Sequence, residues 1–204
     1  MGGPVTSSSP SPEQVRALLD LSPLLPSDAY LAGGVAIAAR FHHRTSRDLD
    51  WFVSRTDPLT LIDSLTAAGA RIVSRAEGTL YVEFAGVPTS VIRYGYPLLE
   101  PLEFVLGVRT ASLEDLACMK LSAIASRGKA RDFWDLREIL VRAGKSLPGL
   151  LEAYGKKYAR EDVGHVVRSL VYFEDAEADP MPRGLDAVAW RGIKQDFQER
   201  VLAL

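Results

Sequence analysis

The chain has 204 residues, 47% of them hydrophobic and 25% charged, with a formal net charge of −2 and a pI near 6.0. That supplies a core for one or two domains, while the near-neutral balance excludes a global basic field for drawing in nucleic acid. The single cysteine, Cys118, excludes an intramolecular disulfide, and the spacing of His and Cys residues is wrong for zinc. No apolar run approaches membrane-spanning length.

In chain order, residues 1–12 are rich in Gly, Pro and Ser and read as a disordered tail without the apolar core of a signal peptide. A helix is predicted from about Pro12 to Leu25. A short strand and an Ala-rich helix follow at 29–41, then a strand at 48–54 and an amphipathic helix from Pro58 to Ala68. Strands near 70–75, 79–85 and 88–94 complete a small mixed sheet, with Gly78 and Gly86 at the turns. After a loop from Tyr96 to Val108, the pattern is helical at 113–126, 131–143, 147–158, 162–174 and 184–203. The reading is an α+β fold: a core with flanking helices over 13–108, followed by a helical C-terminal lobe over 109–204. A reducing cytoplasm is the expected location.

Asp48 and Asp50, in Arg47-Asp48-Leu49-Asp50-Trp51-Phe52-Val53, are the most informative pair. Residues i and i+2 of a strand share a face, and two adjacent anions repel. A divalent cation resolves that conflict, and Mg²⁺ takes carboxylate oxygens supplemented by substrate phosphates. Upstream, Leu31-Ala32-Gly33-Gly34 runs from a strand into a helix. Gly33 and Gly34 permit close backbone approach, and amides at a helix N-terminus favour phosphate oxygens. The loop between the two motifs, His42-His43-Arg44-Thr45-Ser46-Arg47, is basic. Arg44 and Ser46 are therefore candidate phosphate contacts beside the glycines.

A second constellation lies in 112–140. Ser112-Leu113-Glu114-Asp115 reads as a helix start. Lys120 and Arg127, seven positions apart, project from nearly the same side of that helix. Gly128 ends it, and Asp132 stands on the next helix, where it can orient either cation. Lys120 offers a compact charge and Arg127 a fork for phosphate oxygens. A helical hairpin laced by salt bridges from Lys120 or Arg127 to Asp132 explains the same residues structurally. The basic residues of the two constellations suit an acidic substrate such as a nucleoside triphosphate or a polynucleotide end.

The glycine pair followed by Arg44-Thr45-Ser46-Arg47-Asp48-Leu49-Asp50-Trp51-Phe52 resembles the signature of DNA-polymerase-β-type nucleotidyltransferases. The run Lys120-Leu121-Ser122-Ala123-Ile124-Ala125-Ser126-Arg127, continuing to Asp132-Phe133-Trp134-Asp135-Leu136, is similar to the AbiEii/AbiGii abortive-infection toxins. The resemblance implies nucleotidyl transfer from a nucleoside triphosphate, with Mg²⁺ as cofactor, Asp48 and Asp50 as metal ligands, and Lys120 and Asp132 as catalytic residues. Gly33, Gly34, Arg44, Ser46 and Arg127 would bind substrate. It further implies tRNA as acceptor and a cognate antitoxin protein as partner. The chain departs from the superfamily pattern at Ser90, which stands where a third carboxylate is common and accepts no proton near neutral pH. Glu83, one strand earlier, is a possible substitute. Two other readings share the core: a small-molecule, antibiotic-type nucleotidyltransferase, and a degenerate module that binds nucleotide or a partner without catalysis.

Overall fold

The computed structural model describes residues 10–204; the expected tail lies outside them as far as residue 9. Two compact units are present: residues up to Tyr96 with Pro101–Ala111, and Pro97–Glu100 with Ser112–Leu204.

The first unit opens with α1 (Pro12–Leu21), where Ser11 and Gln14 form a reciprocal capping box. A 3-10 turn at Ser22–Leu24 completes the segment expected as one helix. Next come β1 (Tyr30–Ala32), α2 (Gly33–Phe41) and β2 (Leu49–Val53). A 3-10 turn at Pro58–Leu61 leads into α3 (Ile62–Ala67). Then follow β3 (Arg71–Ala76), β4 (Thr79–Phe84), β5 (Val87–Arg93), β6 (Glu103–Val105) and β7 (Val108–Thr110). The seven strands form one mixed sheet in the order β3-β4-β5-β2-β1-β7-β6. β2 runs parallel to β5 and antiparallel to β1, and β7 runs parallel to β1. Leu49, Trp51, Leu80, Val82 and Val91 are buried on its core side.

The β6–β7 hairpin corrects the expected loop. Its turn, Leu106-Gly107, has positive φ at both residues, 54° and 80°. That geometry matches the twist of paired strands, but Leu106 is not the Asn, Asp or Gly that announces it. Arg40 ties α2 to this region through Glu103 Oε2 at 2.8 Å and the Ala111 carbonyl at 2.9 Å.

The second unit contains α4 (Leu113–Arg127), α5 (Ala130–Arg142) and α6 (Leu147–Tyr158). It continues with α7 (Gly164–Ser169), α8 (Glu174–Ala178) and α9 (Ala187–Leu202). The helix expected over 162–174 is thus shortened to α7, which ends at Ser169, and α8 is a further short helix lying almost wholly beyond that range. Phe133 centres the aromatic packing, within 5.4–5.9 Å of Phe173, Trp190 and Phe197. Asp115, fully buried, accepts from Lys157 Nζ at 2.6 Å, from Ser112 Oγ at 2.9 Å and from the amide of Leu99 at 3.0 Å. This charge is therefore paired and hydrogen-bonded, the condition for tolerating it in a core. No helix among the described residues is long and apolar enough to cross a membrane.

Asp28 locks the end of β2. Its carboxylate accepts the amides of Ser54, Arg55 and Thr56 at 3.1, 2.8 and 3.3 Å and the Thr56 hydroxyl at 2.9 Å. Partial burial alone would raise its pKa; the Arg55 amide, with Thr56 and Ser54, outweighs this and lowers it from 3.8 to about 2. A depressed folded-state pKa means the stabilisation is complete above the unfolded value and lost as pH falls through the folded one. Asp28→Asn should therefore lower stability near neutral pH, with the difference from wild type shrinking between pH 4 and pH 2. Asp28→Ala should lower the thermal midpoint by about 5 °C at pH 7. Thermal melts across that pH range check both, and equal midpoints at pH 7 would contradict them.

Candidate active site

In the first unit, the turn from β1 into α2 sits directly on β2. Gly33 has φ +69°, and a methyl group there would lie 2.3 Å from Asp50 Oδ2 and 3.0 Å from its Cβ. No other residue fits this approach without moving the carboxylate. At Gly34 a methyl group would meet Arg44 Nη2 at 2.3 Å and Ser46 Oγ at 3.1 Å. Gly33, Gly34, Arg44, Ser46 and Asp50 are thus gathered around the start of α2.

The loop carrying Arg44 and Ser46 is anchored from α1. Gln14 Nε2 donates to the Ser46 carbonyl at 2.8 Å and to the Arg47 carbonyl at 3.1 Å. Gln14 was missed as a site-supporting residue; its three-residue spacing from Ser11 was the available signal, and only for a helix start.

Asp48 lies immediately before β2 and is exposed; Asp50 is inside the strand and half-buried. Parallel pairing sets Asp50 opposite Ser90 of β5. The Ser90 hydroxyl donates to Asp50 Oδ1 at 2.6 Å, a short bond of the charge-assisted kind. Among the described residues neither Asp48 nor Asp50 has an ion-pair partner. Glu83 points elsewhere in its bonding: Arg71 holds it at 2.7 Å.

The second unit brings Lys120, Arg127 and Asp132 together and adds Asp135. Lys120 is 5% exposed, and its ammonium meets Asp132 Oδ1 at 2.8 Å and Asp135 Oδ2 at 2.7 Å. Arg127 grips Asp132 with Nε at 2.9 Å and Nη2 at 3.1 Å. Burial pushes the Asp132 pKa up, but the charge of Lys120 and the bond from Arg127 outweigh it, so the net shift is downward. Asp135 was missed as a member of this group. Its place three residues after Asp132 on one helical face was the available signal.

The sequence pattern of the family described as "Nucleotidyl transferase AbiEii toxin, Type IV TA system" matches residues 82–203, more than half of the chain. The chain belongs to this AbiEii family. The protein is accordingly a nucleotidyltransferase, an enzyme of nucleoside-monophosphate transfer. The matched residues of this AbiEii-family protein take in β5 with Ser90 and the whole α4–α5 hairpin. An uncharacterized protein of Aquifex aeolicus is 39% identical over 183 residues, covering 86% of this chain and 87% of that one. In fold, the chain is similar to MenT4, a nucleotidyltransferase toxin of Mycobacterium tuberculosis, with a TM-score of 0.63 at 20% identity over 94% of this chain and 82% of that one. It is also similar to JHP933 of Helicobacter pylori, with a TM-score of 0.52 at 17% identity over 94% of both chains.

Within the second unit Lys120 has a structural role that is measurable without any substrate. Removing one partner of a buried ionic group leaves uncompensated charge and destabilises by about 3–5 kcal/mol. Lys120→Ala should therefore shift urea unfolding by that amount. An unchanged midpoint would show that Asp132 and Asp135 do not depend on Lys120.

Proposed function

We propose that this nucleotidyltransferase is a Mg²⁺-dependent toxin that moves a nucleoside monophosphate from a nucleoside triphosphate to the acceptor end of tRNA. The observation that carries the reaction centre is Gly33 set against the carboxylate of Asp50. It brings the amides at the start of α2, which favour phosphate, beside an acid that lacks a cation.

The donors fit magnesium. Asp50 is half-buried without a counter-charge, Asp48 is the exposed acid two positions before it, and both offer hard oxygens. No cluster of three or more metal-binding side chains occurs among the described residues. Mg²⁺ suits this, since it is commonly held by one or two carboxylates with substrate phosphates completing the shell. Bound there, the ion would supply charge neutralisation at the attacking and leaving oxygens.

The remaining roles fall to the chain itself. Ser90 fixes Asp50 through its hydroxyl and keeps one carboxylate oxygen committed. Gly33 and Gly34 present backbone amides to the phosphates, with Arg44 and Ser46 adding side-chain donors. An acceptor hydroxyl attacks the α-phosphorus, the bond to the bridging oxygen breaks, and pyrophosphate leaves. Ser90 takes no proton near neutral pH, so the hydroxyl proton passes to water or to the substrate's own phosphate. In the second unit Arg127, whose side chain is about half exposed, is the proposed phosphate-binding cation, and the buried Lys120 with Asp135 holds Asp132 in position to orient it. Such chemistry requires chiefly positioning and electrostatics.

The toxin role and an antitoxin partner are supported by the family's description as a type IV system. The tRNA acceptor rests on the resemblance of the two motifs, and a cytoplasmic location follows from that acceptor.

Label transfer from α-labelled triphosphates to total tRNA in the presence of Mg²⁺ tests the proposal. Wild type should label tRNA, and Asp48→Asn or Asp50→Asn should reduce the rate by about a thousand-fold or more. Gly33→Ala should approach the same loss, because its methyl group displaces the Asp50 carboxylate. A folded wild type that labels no RNA with any of the four triphosphates would overturn the acceptor assignment.

A further inference from the structure

The acid-bearing face of the sheet carries a residue that none of the roles above uses. Strand register aligns Ala32, Asp50, Ser90 and Tyr81 in one row across β1, β2, β5 and β4. Directly opposed residues share a face of the sheet. β4 agrees: Leu80, Val82 and Phe84 are buried, while Thr79, Tyr81 and Glu83 alternate with them on the other side. Tyr81 therefore stands on the face of Asp50, two strand spacings away, roughly 10 Å at the backbone.

Tyr81 is 45% exposed, and its side chain makes no hydrogen bond, ion pair or ring contact with the described residues. The other aromatic residues near this side are engaged in ring contacts with one another. Phe52 stacks on Tyr30 at 5.9 Å and meets the edge of Tyr94 at 5.3 Å, and Tyr94 meets Tyr96 at 5.0 Å. Tyr30 and Phe52 are buried as a result. Between Tyr81 and Asp50 stands only Ser90, a small residue whose hydroxyl is turned to the acid. The charge beside the ring is balanced, because Glu83 is paired with Arg71. The row thus forms a step with an acid on one side, a low floor, and an uncommitted aromatic ring on the other.

We infer that Tyr81 is the platform on which a nucleobase of the substrate stacks while the reacting end of that nucleotide lies at Asp50. This rests on the reading of Asp48 and Asp50 as the reaction centre. Two strand spacings match the span of one nucleoside from its sugar–phosphate end to its base. Stacking on an aromatic side chain is tolerant of base identity, since every base has a π-face. The base belongs either to the donor triphosphate or to the terminal nucleotide of the acceptor, and the two are separable.

Fluorescently labelled ATP and a short single-stranded RNA with a free 3′-hydroxyl are titrated into wild type, Tyr81→Ala and Tyr81→Phe, with label-transfer kinetics in parallel. Tyr81→Ala should weaken one of the two probes about ten-fold and raise the matching KM while leaving kcat nearly unchanged. Tyr81→Phe, which keeps the ring, should stay within about two-fold of wild type. A change in ATP affinity assigns the ring to the donor base, and a change in RNA affinity assigns it to the acceptor base. Unchanged affinity for both probes in Tyr81→Ala, equal weakening in Tyr81→Phe, or a wild type that binds neither probe would overturn the inference. If Asp50→Asn abolishes transfer while Tyr81→Ala behaves as wild type, the platform fails and the proposed reaction centre stands. If Tyr81→Ala weakens binding but wild type transfers nothing, the platform stands and the proposed function fails.

Discussion

A missing side chain is the constraint on which the site depends. At Gly33 the backbone of the β1–α2 turn comes so near Asp50 that a single methyl group would stand 2.3 Å from its carboxylate oxygen. The positive φ of Gly33 is what turns the chain from the sheet into α2 at that point. The same turn sets the first residue of the helix, at the positive end of its dipole, against a half-buried anion. Gly34 continues the arrangement by giving its space to Arg44 and Ser46. With Ser90 on the adjacent parallel strand, Asp50 is held from both neighbouring strands and is left without a counter-charge from the described residues.

The second unit solves a different electrostatic problem. Lys120 and Arg127 meet Asp132 and Asp135 as two cations and two anions, so the group is balanced before any substrate arrives. Asp115 and Lys157 repeat the principle at the foot of α4 and anchor Pro97–Glu100 to this unit. Buried ionic groups of this kind contribute little net stability over a well-packed apolar core, yet removing one member is costly. Cys118, beside the Asp115–Lys157 pair on α4, has its thiol pushed up to about 12 by burial, opposed by Lys157. It is a core residue with no thiolate chemistry near neutral pH.

What the sequence revealed was what local spacing determines. Gly33 and Gly34 before Asp50, and the Lys120–Arg127–Asp132 hairpin, each lie within one or two elements, so short-range spacing was enough to group them. Ser46, Arg44 and the glycines also came from one short stretch. The β6–β7 hairpin escaped notice because its strands have three residues each and its turn places Leu106 at positive φ. Gln14 escaped because its hydrogen bonds reach more than thirty residues along the chain. Tyr81 was invisible as a neighbour of Asp50, because only the register across β4, β5 and β2 sets them in one row, and register is a long-range property.

The central claim is that Asp48 and Asp50 hold a divalent ion while the start of α2 receives the triphosphate. Crystals grown with Mn²⁺ and a non-hydrolysable nucleoside triphosphate analogue test it most directly through the anomalous signal of the metal. The account predicts a manganese peak bound by carboxylate oxygens of both aspartates, with the phosphates resting on the amides of Gly33 and Gly34. A nucleotide bound with its phosphates away from those glycines, or a metal that touches neither aspartate, would contradict it.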